Sequence, residues 1–293
     1  MWRRLYLAQL PLSCAGFRGS LLAMKIFISA DMEGVAGVSA RDEVTKGEVD
    51  YAAAQAQMTA EVRAASLGAF SAGASEVWIK DAHWTGRNLD PAGLPAPEGK
   101  RLRLIRGWSG HPFSMVQGLD ATFEAVGFVG YHSSAARGGN PLAHTLSSRL
   151  LAAVRVNGEL LSEFQIFSWA ASTVGVRVGF LAGDRALCET ARRMNETIVT
   201  VETFEGVGAS IVTLPPLEAV QKIQEGMARA VRDKAGRVLP LPKRFDVALE
   251  FHDHAEAYRR SFYPGARPEG DFGVGFQSEN WFEVLRLLKF MTL

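Results

Sequence analysis

Three short apolar segments of this chain each run straight into residues able to bind a cation or move a proton. Residues 25–30 lead into Asp31-Met-Glu33-Gly34, residues 76–80 into Asp81-Ala-His83, and residues 125–129 into Gly130-Tyr-His132. Segments this short and this apolar read as buried strands. An Ala-rich stretch with helical spacing, residues 48–67, lies between the first two. Strands alternating with helices predict an α/β fold with a mainly parallel central sheet flanked by helices. In open sheets of this kind ligands bind beyond the carboxyl ends of the strands, where residues remote in sequence converge.

The remaining chain continues the pattern. Residues 86–100 are rich in Pro, Gly and Asn and are expected to be loop, and residues 102–105 a further strand. Asn157-Gly158, between apolar stretches 151–156 and 159–161, marks a hairpin. A helix is expected over 163–172, a strand over 176–181, a helix from Arg185, a strand over 197–201 and a helix over 217–233. Residues 234–244 read as a surface connection, 246–251 and 273–276 as strands, and 281–288 as a closing helix. The expected organisation is an N-terminal extension (1–23), a metal-binding catalytic α/β domain (24–200) and a smaller C-terminal α/β subdomain (201–293).

Composition excludes several classes. Lys and Arg number 32 against 31 Asp and Glu, so no basic face for nucleic acid is implied. The densest basic run, Lys100, Arg101, Arg103 and Arg106, alternates with Leu like a strand edge. Gln165 and Arg177 interrupt the apolar stretch 164–183, so no membrane span is expected. Cys14 and Cys188 are too few for a disulfide scaffold or a cysteine-based zinc site. A soluble, cytoplasmic protein is expected, its chemistry drawn from His and carboxylates. Residues 1–23 have the charged start and short apolar run of a weak signal sequence. The preferred alternative is that translation begins at Met24, directly before a convincing strand.

Taken singly, each candidate has an ordinary explanation. Asp31 can cap a helix, Glu33 can be a surface charge, and His83 and His132 can be core or edge histidines. Glu163 opens an apolar helix, where acidic residues are favoured by the helix dipole alone. Their coincidence at element ends is what points to a site. His144 lies in a Gly-rich polar loop, a fair place for an active-site base. His111 reads as a turn residue, and His252 and His254 as structural or surface residues.

Asp31-Met-Glu-Gly, Lys80-Asp-Ala-His83, His111-Pro-Phe-Ser-Met-Val-Gln-Gly-Leu-Asp120, Gly130-Tyr-His132 and Leu181-Ala-Gly-Asp184 occur in this order. Together they resemble the DppA-type zinc D-aminopeptidases, from Met24 to near the C-terminus and less so after about residue 200. The resemblance implies two zinc ions per subunit. Asp31 would bridge them, with Glu33 and His83 on one and His132 and Glu163 on the other. Glu159 is a rival for Glu163. His144 matches the family's catalytic histidine. The resemblance also implies a short-peptide substrate and a homodecamer of stacked five-membered rings, in which the segment before Met24 is a departure. Asp81 is expected behind the site, orienting a ligand, and Phe167 and Ser168 are positions where substrate preference could differ.

Mixed carboxylate and imidazole ligands suit zinc, and a metal pair activates water and polarises a carbonyl. That chemistry agrees with what the resemblance implies, release of the N-terminal residue, a D-amino acid, from short peptides. The alternatives are another metal-dependent amidohydrolase or phosphoesterase, for which Arg137 is the one obvious cation, and a non-catalytic ring-forming protein with structural metals.

Overall fold

The apolar runs form the middle of a six-stranded parallel sheet because their side chains are covered on both faces. The computed structural model describes residues 24–292; the extension 1–23 and its two readings lie outside the described residues. In chain order, β1 (Lys25–Ala30) is followed by a one-turn helix α1 (Arg41–Val44), α2 (Tyr51–Ser71), β2 (Glu76–Asp81), β3 (Arg101–Ile105) and β4 (Ala125–Tyr131). A hairpin, β5 (Leu151–Val156) and β6 (Glu159–Leu160), precedes α3 (Glu163–Thr173), β7 (Arg177–Gly183), α4 (Arg185–Met194) and β8 (Val199–Glu202). A second hairpin, β9 (Phe204–Val207) and β10 (Ser210–Thr213), leads to α5 (Pro216–Arg232) and β11 (Phe245–Phe251). The chain closes with α6 (His254–Arg260), β12 (Ala266–Glu269), β13 (Gly273–Ser278) and α7 (Trp281–Met291).

The main sheet has the order β3-β2-β1-β4-β7-β8, with every neighbouring pair parallel. Alternation along β1 splits the core into two layers. Ile26, Ile28 and Ala30 pack with residues of α2 and α5, whereas Phe27 packs on the opposite face with residues of α3, α7 and the second sheet. Each such large side chain contributes roughly 1.5–3 kcal/mol by leaving water. Basic residues alternate with Leu along β3, as befits the exposed edge of this sheet. Among the described residues no helix is long and apolar enough to cross a membrane.

The second sheet is antiparallel, in the order β12-β13-β11-β5-β6. It does not follow the expected division at residue 200, because β5 and β6 join it from before that point. Conversely α5, from after it, packs on α2 against the main sheet. The units interleave because the Asn157-Gly158 hairpin pairs with β11, about 90 residues later, through registers such as Val247 with Val156. The connection over 234–244 is also less superficial than expected: Leu239 is buried and Arg237 bridges to Val178. The β9–β10 hairpin, α1, α6 and β12 were not expected. They are short and largely exposed, so hydrophobic periodicity gives little sign of them.

Candidate metal centre

Asp31 leaves β1 where the strand order reverses, between β2 on one side and β4 on the other. Open α/β sheets place their ligands in this crevice. The backbones converge tightly here: Asp31 N donates to Val129 O and Gly34 N to Gly130 O, both at 2.8 Å. A Cβ on Gly34 would lie 1.9 Å from Tyr131 O, so only glycine lets the Asp31–Glu33 turn sit against the end of β4.

His83 follows β2. Its Nε2 donates to Val44 O of α1 at 2.8 Å, which leaves Nδ1 as the lone-pair nitrogen of a neutral ring. That nitrogen lies 3.0 Å from Glu33 Oε2 and 3.3 Å from Asp31 Oδ1. His132 follows β4 and uses the opposite tautomer. Its Nδ1 donates to Ser133 O at 2.9 Å, and its Nε2 lies 3.5 Å from Asp31 Oδ2 and 3.4 Å from Glu163 Oε2. Glu163 stands in the first turn of α3, where Ser162 and Gln165 form a capping box and the helix dipole favours an anion. Asp31 thus presents one oxygen to each histidine.

This arrangement fits two cations. Donors about 2.0–2.2 Å from a tetrahedral zinc lie about 3.3–3.6 Å from one another, close to the observed separations. Asp31 Oδ2, Glu33 Oε2 and His132 Nε2 are buried without a hydrogen-bond partner, and they are among the atoms that face the two positions. The electrostatics agree. Burial pushes the Asp31 carboxyl well above the usual carboxylate range, and the neighbouring Glu33 adds to this. Burial also works against Glu33 and Glu163, but His83 outweighs it for the first and His132 for the second, so both are held low. Burial opposes a charged His132, yet Glu163 and Asp31 push it up to about 10. His83 is raised likewise against burial, chiefly by Glu33. The carboxylates impose a field that demands positive charge, and cations binding the imidazoles would displace protons.

His144 joins the Glu163 side. Its ring stacks on His132 at 4.4 Å with 20° between planes, and its Nε2 lies 3.8 Å from Glu163 Oε1. Its Nδ1 donates to Leu142 O at 3.0 Å, leaving Nε2 with a lone pair. At 18% its side chain is more exposed than those of Asp31, Glu33, His83, His132 and Glu163, none of which exceeds 7%. It is also the furthest from its carboxylate, which suits a group that exchanges protons with substrate or solvent better than a ligand.

Asp184 and Asn140 support the site, although the sequence assigns neither a role in it. Asp184, fully buried before α4, accepts from Ser133 N and Oγ, each at 2.6 Å, from Leu187 N and from Asn140 Nδ2. Asn140 also donates to Glu33 O at 2.9 Å. Their sequence signals, an Asp before a helix and an Asn-Pro turn, indicate only local caps. Asp81 accepts from Asn88 N, Asn88 Nδ2 and Leu89 N, and Asn88 Nδ2 reaches His83 O. Asp81 therefore organises the loop carrying His83, while the imidazole itself is oriented by Val44. The other candidates are elsewhere. Glu159 is exposed on β6, His252 is exposed just before α6, and His254 is exposed as the first residue of α6. His111 is exposed, and its Nδ1 accepts from Phe113 N as a turn residue does. Arg137 is exposed and donates to Thr190 Oγ1 on α4. Phe167 is packed in the apolar core and Ser168 is fully buried, so neither is open to a substrate.

Glu61 on α2 holds the loop after Glu33: its Oε1 accepts from Ala36 N and from Gln57 Nε2, both at 3.0 Å. Burial pushes this carboxyl from 4.5 to about 7, against those two hydrogen bonds. The folded state holds the proton more tightly than the unfolded chain does. Its stabilising contribution is therefore complete below about pH 4.5 and is lost as pH rises through about 7, on the order of 3 kcal/mol. Glu61→Gln keeps the shape without the charge. Its Tm is expected to match wild type near pH 5 and to exceed it increasingly towards about pH 8.5. Thermal unfolding across that range checks this, and a gap that fails to widen with pH would refute it.

The family model for D-aminopeptidases (peptidase family M55) matches residues 24–290. A curated D-aminopeptidase of Bacillus subtilis (strain 168) is 30% identical over 276 residues, covering 92% of this chain and 97% of its own. A solved structure described as a Zn-dependent D-aminopeptidase DppA from Bacillus subtilis, a self-compartmentalizing protease, superposes with a TM-score of 0.84 at 27% identity. The match covers 92% of this chain and 97% of that one. With the switch-point crevice, its paired tautomers and its buried carboxylates in place, these matches identify the chain as a member of the M55 peptidase family, the D-aminopeptidases.

Proposed function

We propose that this protein is a zinc-dependent D-aminopeptidase that releases the N-terminal residue of short peptides. The observation that carries the reading is the Asp31 carboxylate, with Oδ1 towards His83 and Oδ2 towards His132. Asp31 would bridge two zinc ions, with Glu33 and His83 completing one position and His132 and Glu163 the other. When bound, the pair supplies an activated water and polarises the scissile carbonyl.

The chain's own residues do the rest. Val44 O and Ser133 O fix the ring tautomers of His83 and His132, so each presents a lone pair without rearrangement. His144 Nε2, its ring locked by Leu142 O, takes the proton from the attacking water and returns it to the leaving amine. Near-complete burial of the carboxylates keeps bulk water out and strengthens every charge interaction at the site. A phosphoesterase reading is disfavoured because Arg137, its one expected cation, is exposed and held by α4. The likeness to a self-compartmentalizing protease supports a homo-oligomer that encloses its sites; the homodecamer is our proposal for its form.

The test combines zinc content, solution mass and hydrolysis on one purified sample offered D-Ala-D-Ala, L-Ala-L-Ala and a phosphodiester. About two zinc per chain with preferential D-peptide cleavage is expected. Cleavage of the phosphodiester alone, or a zinc-free protein with full peptidase activity, would sink the reading.

A further inference from the structure

The segment carrying His144, residues 140–146, is tied at both ends to residues of the two metal positions. At its start Asn140 Nδ2 donates to Glu33 O at 2.9 Å and to Asp184 Oδ2 at 3.2 Å. At its end Leu146 N donates to Glu163 Oε1 at 2.6 Å. Leu146 has φ +65°, a left-handed conformation that leucine holds only where its surroundings impose it. Between these ties lies Thr145, fully buried, next to His144. Its Oγ1 accepts from Ala135 N at 3.1 Å and donates to Leu161 O at 2.9 Å. Ala135 lies three residues after His132, and Leu161 two before Glu163. One hydroxyl therefore joins the His144 strap to the two chain segments that deliver His132 and Glu163.

We propose that Thr145 is a positioning residue for the reaction, its hydroxyl fixing the His144 ring over His132 so that Nε2 faces the site. This rests on the D-aminopeptidase reading. The hydroxyl touches no metal ligand side chain, so its loss leaves the ligand set intact but unpairs Ala135 N and Leu161 O. The strap then relaxes to satisfy them. A displacement of about 1 Å in a proton-transfer group costs up to about 10²-fold in rate, whereas substrate binding by other groups is unaffected.

The experiment uses the zinc-loaded enzyme and D-Ala-D-Ala. Thr145→Val keeps the shape and removes the hydroxyl; its kcat is expected to fall about 10–100-fold, with KM within about threefold of wild type. Zinc content per chain should match wild type. Thr145→Ser, which restores the hydroxyl, should recover kcat to within about threefold. Thr145→Ala supplies the same readout if the valine variant does not fold, with at least about a tenfold loss in kcat expected. A hydroxyl that served only stability would lower Tm and leave the kcat of folded, zinc-loaded protein unchanged, which overturns the proposal. Activity lost in proportion to zinc, or a serine variant as impaired as the others, also overturns it. A wild type that binds no zinc or leaves D-Ala-D-Ala intact overturns the peptidase reading and this inference together. An active wild type with an unaffected valine variant overturns the inference alone.

Discussion

Asp31→Ala is expected to yield a folded protein that keeps less than about one zinc per chain and cleaves D-Ala-D-Ala roughly 10³-fold or more slowly. The expectation follows from geometry. Asp31 offers one oxygen to His83 and the other to His132, at 3.3 and 3.5 Å, one histidine from each position, so its loss removes a ligand from both at once. Water activation and carbonyl polarisation are together worth several kcal/mol, which sets the size of the rate loss. Folding should survive, because the bulk of the core lies in the two apolar layers on either side of the main sheet. Zinc should raise the Tm of wild type and leave that of the variant nearly unchanged, since only a state with a binding site gains from the ligand. Zinc analysis, steady-state rates and thermal unfolding of the two proteins decide the matter. His83→Ala should behave similarly, whereas His252→Ala, at an exposed position off the site, should not. Two zinc ions and normal rates in Asp31→Ala would mean that the bridge is elsewhere.

His144→Ala is expected to do the reverse: zinc retained, kcat reduced by about 10²–10⁴ and KM nearly unchanged. His144 Nε2 stands 3.8 Å from Glu163, further than any ligand nitrogen from its carboxylate, and its side chain is the most exposed of the set. Its ring is held by Leu142 O and by stacking on His132, and not by the carboxylates. Removing it therefore leaves the donor set as it was and takes away the proton carrier. Metal analysis alongside kcat and KM separates the two roles. If zinc left with the imidazole, His144 would be a ligand and the proton carrier would have to be sought elsewhere.

These variants also test how the site could be read from sequence. Asp31, Glu33, His83 and His132 were visible because each follows a short apolar run, and a strand's period and length are local properties. Glu163 and His144 were less so. Glu163 is a helix-start acid like many others, and His144 sits in a loop with no periodicity to orient it. Within the family resemblance, spacing back from the Leu181-Ala-Gly-Asp184 motif separated Glu163 from Glu159. Asn140, Thr145 and Asp184 had no legible role. Their hydrogen bonds reach Glu33, Leu161 and Ser133, which are 107, 16 and 51 residues away. No local pattern encodes such pairings.

The fold divides along the same line. Buried parallel strands, the Ala-rich helix and the Asn157-Gly158 hairpin were determined by the sequence alone, because side-chain period and turn chemistry act within a few residues. The partner of that hairpin was decided only in three dimensions. β5 pairs with β11 across the whole of β7, α4, β8 and α5, and so cuts across any boundary drawn at residue 200. Which imidazole nitrogen faces the cations was decided there too, by carbonyls of Val44 and Ser133 that accept the opposite N–H. Local chemistry chose the kinds of donor; long-range backbone packing at the β1–β4 switch point set their distances, and distance is what turns six ordinary side chains into a candidate metal centre.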